Sequence, residues 1–181
     1  MNRTEIIIGG VGGQGVVLAG TLLGTAATVF EEKKAVQTQS YSSELRGGAA
    51  RTEVIISDEP ICDPVVRKAD ILVALTEEAL ARDIGRVKSG GLVIVDSDRT
   101  NGPEAGDYKI VLVPATTIAE KEMEDPITAN LIVLGVLIKI SPVVSVDSMQ
   151  KAIEASVPPK AKMLNISAFR RGLTEGGESK R

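Results

Sequence analysis

The feature that most constrains this chain is a β-branched run followed at once by a glycine cluster and then an amphipathic stretch. Glu5-Ile6-Ile7-Ile8 reads as a strand buried on both faces of a parallel sheet, cut off by Gly9-Gly10. From Val16 to Phe30 apolar residues recur at helical spacing, and Glu31-Glu32-Lys33-Lys34 ends the stretch in water. Between them Gly10-Val11-Gly12-Gly13-Gln14-Gly15 has the G-x-G-x-x-G spacing. Strand, glycine loop and helix in that order predict an α/β domain.

The rest of the chain extends this pattern unevenly. Ala35–Tyr41 and Arg51–Ser57 read as strands joined by a polar, glycine-containing loop, the second strand with a wet end. Asp70–Leu75 is a buried strand. It leads into a helix over 77–88, capped by Thr76 and stopped by Gly90-Gly91. Leu92–Val95 and Lys109–Val113 are further strands, with helices at 117–124, 127–140 and 146–156, the middle one apolar on nearly every side. Residues 1–173 are expected to form one domain, and 174–181 a disordered tail.

The glycine loop has two readings. Its glycines permit a tight turn and close approach, and backbone N–H groups at a helix start favour a phosphate or carboxylate. Gly10, Gly12, Gly13, Gln14 and Gly15 are therefore candidate ligand contacts; alternatively they serve only the turn and a protein contact. Neither usual nucleotide signature follows. A dinucleotide fold places an acid at the end of its second strand, where this chain has Val36-Gln37-Thr38-Gln39-Ser40, and a P-loop needs Gly-Lys-Ser/Thr where Gly15-Val16-Val17 stands.

A second constellation, Gln39-Ser40-Tyr41-Ser42-Ser43-Glu44-Leu45-Arg46-Gly47-Gly48, follows the second strand, where open α/β sheets bind ligands. Arg46 is suited to a carboxylate or phosphate, with Glu44 to hold it, or the two form a surface pair worth little. Asp96 and Asp98 more often cap or turn, Asn130 more often serves backbone, and Lys160, Lys162, Arg170 and Arg171 more often form a solvated face.

Composition narrows the chemistry. Among 181 residues there is no histidine and one cysteine, Cys62, so the chain lacks a His-based nucleophile pair and the ligands of a cluster or structural zinc site. A net charge of −3 and 2% aromatic residues argue against nucleic acid. The most apolar run, Leu131–Ile138, is too short to span a bilayer, and the start of the chain carries Arg3 and Glu5 and goes straight into a strand without a signal-peptide layout, so a cytoplasmic location is expected.

Together, Gly10–Val16 and Tyr41–Gly48 resemble the γ subunit of 2-oxoacid:ferredoxin oxidoreductases, and the likeness continues through Ala69-Asp70, Lys88–Gly91, Asn130, Leu134-Gly135 and Asn165. The resemblance implies a three-layer α/β/α domain around a mostly parallel sheet. It implies an assembly that oxidatively decarboxylates a 2-oxoacid to acyl-coenzyme A with ferredoxin as acceptor. Thiamine diphosphate, Mg2+ and iron–sulfur clusters would lie on the α, β and ferredoxin-like partner subunits. This chain would carry no catalytic residue and bind no cofactor alone. Tyr41, Ser42, Glu44, Arg46, Gly47 and Gly48 would face the partners or the active site, and the glycine loop would contact coenzyme A. 2-Oxoglutarate is the first substrate expected, with pyruvate, 2-ketoisovalerate and other branched-chain 2-oxoacids, and indolepyruvate open. The rivals are a scaffold subunit without ligand and an independent NAD(P)-binding oxidoreductase.

Overall fold

The structure, a computed structural model, describes residues 3–42, 48–104, 106–175 and the backbone of 178–180. In chain order the elements are β1 (Arg3–Val11), α1 (Val16–Phe30), β2 (Lys34–Tyr41), β3 (Ala49–Ser57), β4 (Ala69–Ala74), α2 (Glu77–Asp83), β5 (Val87–Asp96), β6 (Tyr108–Val113), α3 (Ala115–Lys121), α4 (Ala129–Ile140), α5 (Val146–Ser156) and α6 (Lys162–Thr174). The sheet order is β2-β3-β1-β4-β5-β6, with Glu178–Lys180 antiparallel beside β6. No helix among the described residues is long and apolar enough to cross a membrane.

The α/β expectation holds, with a mixed sheet. β1, β4, β5 and β6 are parallel, whereas β2 and β3 form an antiparallel pair attached to β1. The connection after Tyr41 is too short for a helical crossover, so the chain returns antiparallel. Alternate residues of the central strands feed two cores. Ile71 and Val73 of β4 face α1, α3, α4, α5 and α6, while Leu72 and Ala74 face α2 and the Val66 segment. The two outer layers are therefore unequal.

α4 is enclosed because α6 packs on it backbone to backbone. A methyl on Gly135 would overlap the Phe169 carbonyl, and one on Gly172 the Ile132 carbonyl, so only glycine permits this approach. Every residue from Asn130 to Ile138 is buried as a result.

Several boundaries differ from expectation. β1 does not stop at Gly9-Gly10, because its ladder with β3 continues to Val11 opposite Ala49. The helix expected over 77–88 ends at Asp83, and a short 3-10 turn, Ile84–Arg86, leads into β5. Arg86 turns there towards Glu53 and Asp83, and Lys88 towards Asp70, while Gly90 and Gly91 lie inside β5. α6 was not anticipated. Only Ala168, Phe169 and Gly172 of its residues are buried, which is too few for a visible apolar stripe.

The far end of α1 is tied to α5 through Glu31. Its carboxylate accepts from Lys33 Nζ at 2.8 Å and from the Ser145 N–H at 2.5 Å, while Ser145 caps α5 through the Ser148 N–H at 3.1 Å. Partial burial pushes the Glu31 carboxyl up, but these donors outweigh it and hold its pKa at about 2 against an ordinary 4.5. The folded state favours the charged form, so this stabilisation is complete above about pH 4.5 and is lost as pH falls towards about 2. Glu31→Gln is expected to lower denaturant stability at neutral pH and to converge on wild type near pH 2; a gap that stays constant with pH would contradict the assignment.

Candidate functional site

The glycine loop closes through reciprocal bonds. The Gln14 N–H donates to Val11 O at 3.2 Å, and the Val11 N–H donates to Gln14 Oε1 at 2.9 Å. Gly15 then adopts φ 69°, ψ 22° as the residue preceding α1. Its carbonyl accepts from the Ala19 N–H at 2.9 Å and from Asn130 Nδ2 at 3.1 Å. A side chain at position 15 would be strained by the left-handed backbone and would also overlap the Asn130 amide. Gly13 has φ 94° with no atom within 4 Å of where a side chain would begin.

Gly12 and Gly13 are exposed, α1 has no side-chain cap, and its first turn carries no acid. The open N–H groups and the positive end of the α1 dipole are thus presented at the surface, a setting that binds anions. The loop also stands at the topological switch point. α1 leads from β1 towards β2 on one face of the sheet, and α2 leads from β4 to β5 on the other, so a crevice opens at the carboxyl ends of β1 and β4.

The second motif meets the first at its far end. The Gly12 N–H donates to Gly48 O at 2.8 Å, and the Ser42 N–H donates to Ala49 O at 2.9 Å. Tyr41 is 61% exposed at the end of β2. Glu44, Arg46 and Gly47 lie outside the described residues. Gln39 and Ser40 are exposed on the free edge strand, and no acid stands there for a ribose.

Asp96 and Asp98 hold α3 against the end of β5. Asp96, 1% exposed, accepts from Thr116 Oγ1 at 2.6 Å and from the Asp98 N–H at 3.2 Å, and Asp98 accepts from the Thr117 N–H at 2.6 Å. Burial pushes the Asp96 carboxyl above its ordinary value, against these hydrogen bonds. Arg171 is spent on Glu122 and Glu175, which raise its pKa, and Arg170 donates to Gln150. A hollow of about 440 Å³ between Arg3, Asp70, Gly91, Lys109 and Ile140 lies at the amino end of the parallel strands, away from both motifs. Sequence reasoning missed Arg99 and Thr116, which line the crevice beside Gly13 and Gln14; a lone arginine in a turn carries no periodic signal.

Gly15→Ala is expected to cost roughly 2–4 kcal/mol of stability through backbone strain and overlap with Asn130. Adding Asn130→Ala should recover about 1 kcal/mol or more of that cost, because it removes the clashing amide. Strictly additive losses in a denaturation double-mutant cycle would contradict the contact.

The chain matches the Pyruvate ferredoxin/flavodoxin oxidoreductase family over residues 5–175. It is 45% identical over 172 residues to the 2-oxoglutarate synthase subunit KorC of Methanocaldococcus jannaschii, covering 94% of this chain and 92% of that one. The crystal structure of a keto/oxoacid ferredoxin oxidoreductase γ subunit from Geobacter sulfurreducens superposes with a TM-score of 0.84 at 37% identity, covering 95% of each chain. The same fold, at 20% identity and a TM-score of 0.84, makes up 31% of a longer chain of the 2-oxoglutarate:ferredoxin oxidoreductase of Magnetococcus marinus, and the match covers 96% of this chain. That structure holds 2-oxoglutarate, coenzyme A and succinyl-CoA. The chain belongs to the pyruvate ferredoxin/flavodoxin oxidoreductase family, as a γ-type subunit of a multi-subunit oxoacid:ferredoxin oxidoreductase.

Proposed function

We propose that this chain serves a cytoplasmic, thiamine-diphosphate-dependent assembly that converts 2-oxoglutarate to its acyl-coenzyme A with ferredoxin as acceptor. Its own part is to hold coenzyme A phosphate at the Gly10–Gly15 loop. The observation that carries this reading is the uncapped start of α1 beside the exposed, open backbone of Gly13. Phosphate oxygens need N–H donors and positive potential, and the loop offers both. A nicotinamide cofactor would need a ribose-binding acid after β2, where the chain has Gln39 and Ser40. The choice of 2-oxoglutarate follows the name of the KorC relative.

The residues divide the work by backbone rather than side chain. Gln14 fixes the turn, Gly15 and Asn130 fix where α1 begins, and the first N–H groups of α1 point at the ligand. Thiamine diphosphate, when bound by the partner α and β subunits, supplies the decarboxylation chemistry, with Mg2+ beside it. Iron–sulfur clusters on the β and ferredoxin-like subunits carry the electrons. This chain has no histidine and a single cysteine, exposed Cys62, so such groups need donors from elsewhere. The Tyr41–Gly48 segment, joined to Gly12 through Gly48, is the surface offered to those partners.

Gly13→Val in the co-expressed complex is expected to weaken coenzyme A binding about tenfold or more by calorimetry, because valine does not tolerate the Gly13 backbone. Unchanged affinity in an intact assembly would favour a purely scaffolding subunit. Arg46→Ala is expected to reduce the yield of co-purified complex or its turnover several-fold; normal yield and rate would remove Arg46 from the interface.

A further inference from the structure

At the opposite end of the sheet from the glycine loop, the hollow of about 440 Å³ opens at the amino end of the parallel strands. Pockets that hold a small molecule are typically about 300–1,000 Å³, and this one falls within that range. Strand alternation sets its wall. Ile71 and Leu92 face the five-helix core, and Thr4, two residues before Ile6, and Lys109, two before Val111, stand on the same side of the sheet. Ile140 and Ser141 complete the lining where α4 ends.

Two polar groups of this wall have no partner. Thr4 is 4% exposed, and its hydroxyl makes no hydrogen bond among the described residues. Asn130 Oδ1 is the one side-chain atom there that is both unpartnered and fully enclosed, so the Thr4 oxygen reaches the hollow that its residue lines. A hydroxyl so nearly withdrawn from bulk water calls for a partner. Lys109 is exposed and has no acidic partner among the described residues. Arg3 and Asp70 stand at the rim with their charges already met: Arg3 Nε donates to Glu5 at 2.8 Å, and Asp70 accepts from Lys88 Nζ and the Glu5 N–H, each at 2.8 Å. The surplus charge of the hollow is therefore the single ammonium of Lys109.

Thr4 and Lys109 lie on β1 and β6, three strand spacings or about 14 Å apart, with β4 and β5 between them. No single ligand group meets both, but a linear molecule does. Its anionic head sits at Lys109, its methylenes cross Leu92 and Ile71, and its far end bonds the Thr4 hydroxyl. The four-carbon stem of lysine covers part of the span, so a chain of about five carbons closes the rest. A second carboxylate does not suit the far end, because Asp70 and the negative end of the α4 dipole stand near it. We propose that this hollow binds a short linear carboxylate that carries a hydroxyl at its other end. The site is independent of the coenzyme A reading, since it lies at the other end of the strands and uses none of the loop's residues.

Calorimetry on the co-expressed complex tests it with 5-hydroxypentanoate, pentanoate and glutarate as probes, in wild type, Lys109→Glu, Lys109→Arg and Thr4→Val. 5-Hydroxypentanoate is expected to bind wild type with a Kd of about 1 mM or below, and more tightly than either of the other two. Lys109→Glu should weaken it about tenfold or more, while Lys109→Arg, which keeps the charge, stays within about threefold. Thr4→Val keeps the shape of a β-branched strand residue and removes only the hydroxyl; it should weaken 5-hydroxypentanoate about three- to tenfold and leave pentanoate unchanged. No binding at about 10 mM 5-hydroxypentanoate, affinity within about twofold of wild type in Lys109→Glu, an equal loss for both probes in Thr4→Val, or tighter binding of glutarate would each overturn the site.

Discussion

The site depends on one hydrogen bond between residues far apart in the chain. Asn130 Nδ2 donates to the carbonyl of Gly15 across 115 positions of sequence, and in doing so sets the start of α4 against the start of α1. The amide lies so near Gly15 that no side chain fits there. The left-handed turn, the uncapped first turn of α1 and the exposed backbone of Gly12 and Gly13 all follow from that placement. Asn130 is in turn fixed from below, because α4 is buried against α6 where Gly135 and Gly172 meet. A contact between two helix backbones, distant from any ligand, thus determines where the N–H groups point.

The same geometry explains why a chain with so little chemistry of its own belongs in an enzyme. Backbone N–H groups and helix dipoles need no titratable side chain, keep their charge at any working pH and are preorganised by the fold. A crevice at the carboxyl ends of β1 and β4 can present them to a ligand whose reactive end lies on another subunit. The unequal outer layers fit such a role. One face of the sheet is covered by α1, α3, α4, α5 and α6, while β2 is an edge strand with Gln39, Ser40 and Tyr41 exposed beside the loop. What the chain contributes to catalysis on this view is position.

Much of this was legible in the sequence because the signals were local. The β-branched run at Ile6–Ile8, the glycine spacing and the periodic Val16–Phe30 stretch fixed the loop between its strand and helix, and Thr76 does cap α2 through the Ala79 N–H. The resemblance carried by Gly10–Val16 and Tyr41–Gly48 led to the family that the comparisons established. What escaped was non-local. The helix expected to reach residue 88 gives way early because Arg86 and Lys88 find acidic partners on neighbouring strands. The sheet is mixed because a short connection, not an apolar pattern, sets the direction of β3. Arg99 at the crevice needed the fold, since nothing in its own neighbourhood announces it.

Hydrogen–deuterium exchange of the assembled complex, with and without saturating coenzyme A, addresses the central claim most directly. The amides of Gly13 and the first turn of α1, Val16 to Leu18, should exchange rapidly in the free complex and gain protection when coenzyme A binds, while the interior of α4 stays unchanged. Coenzyme A that binds with full affinity and leaves those amides as fast as before would contradict the claim that this backbone holds the ligand.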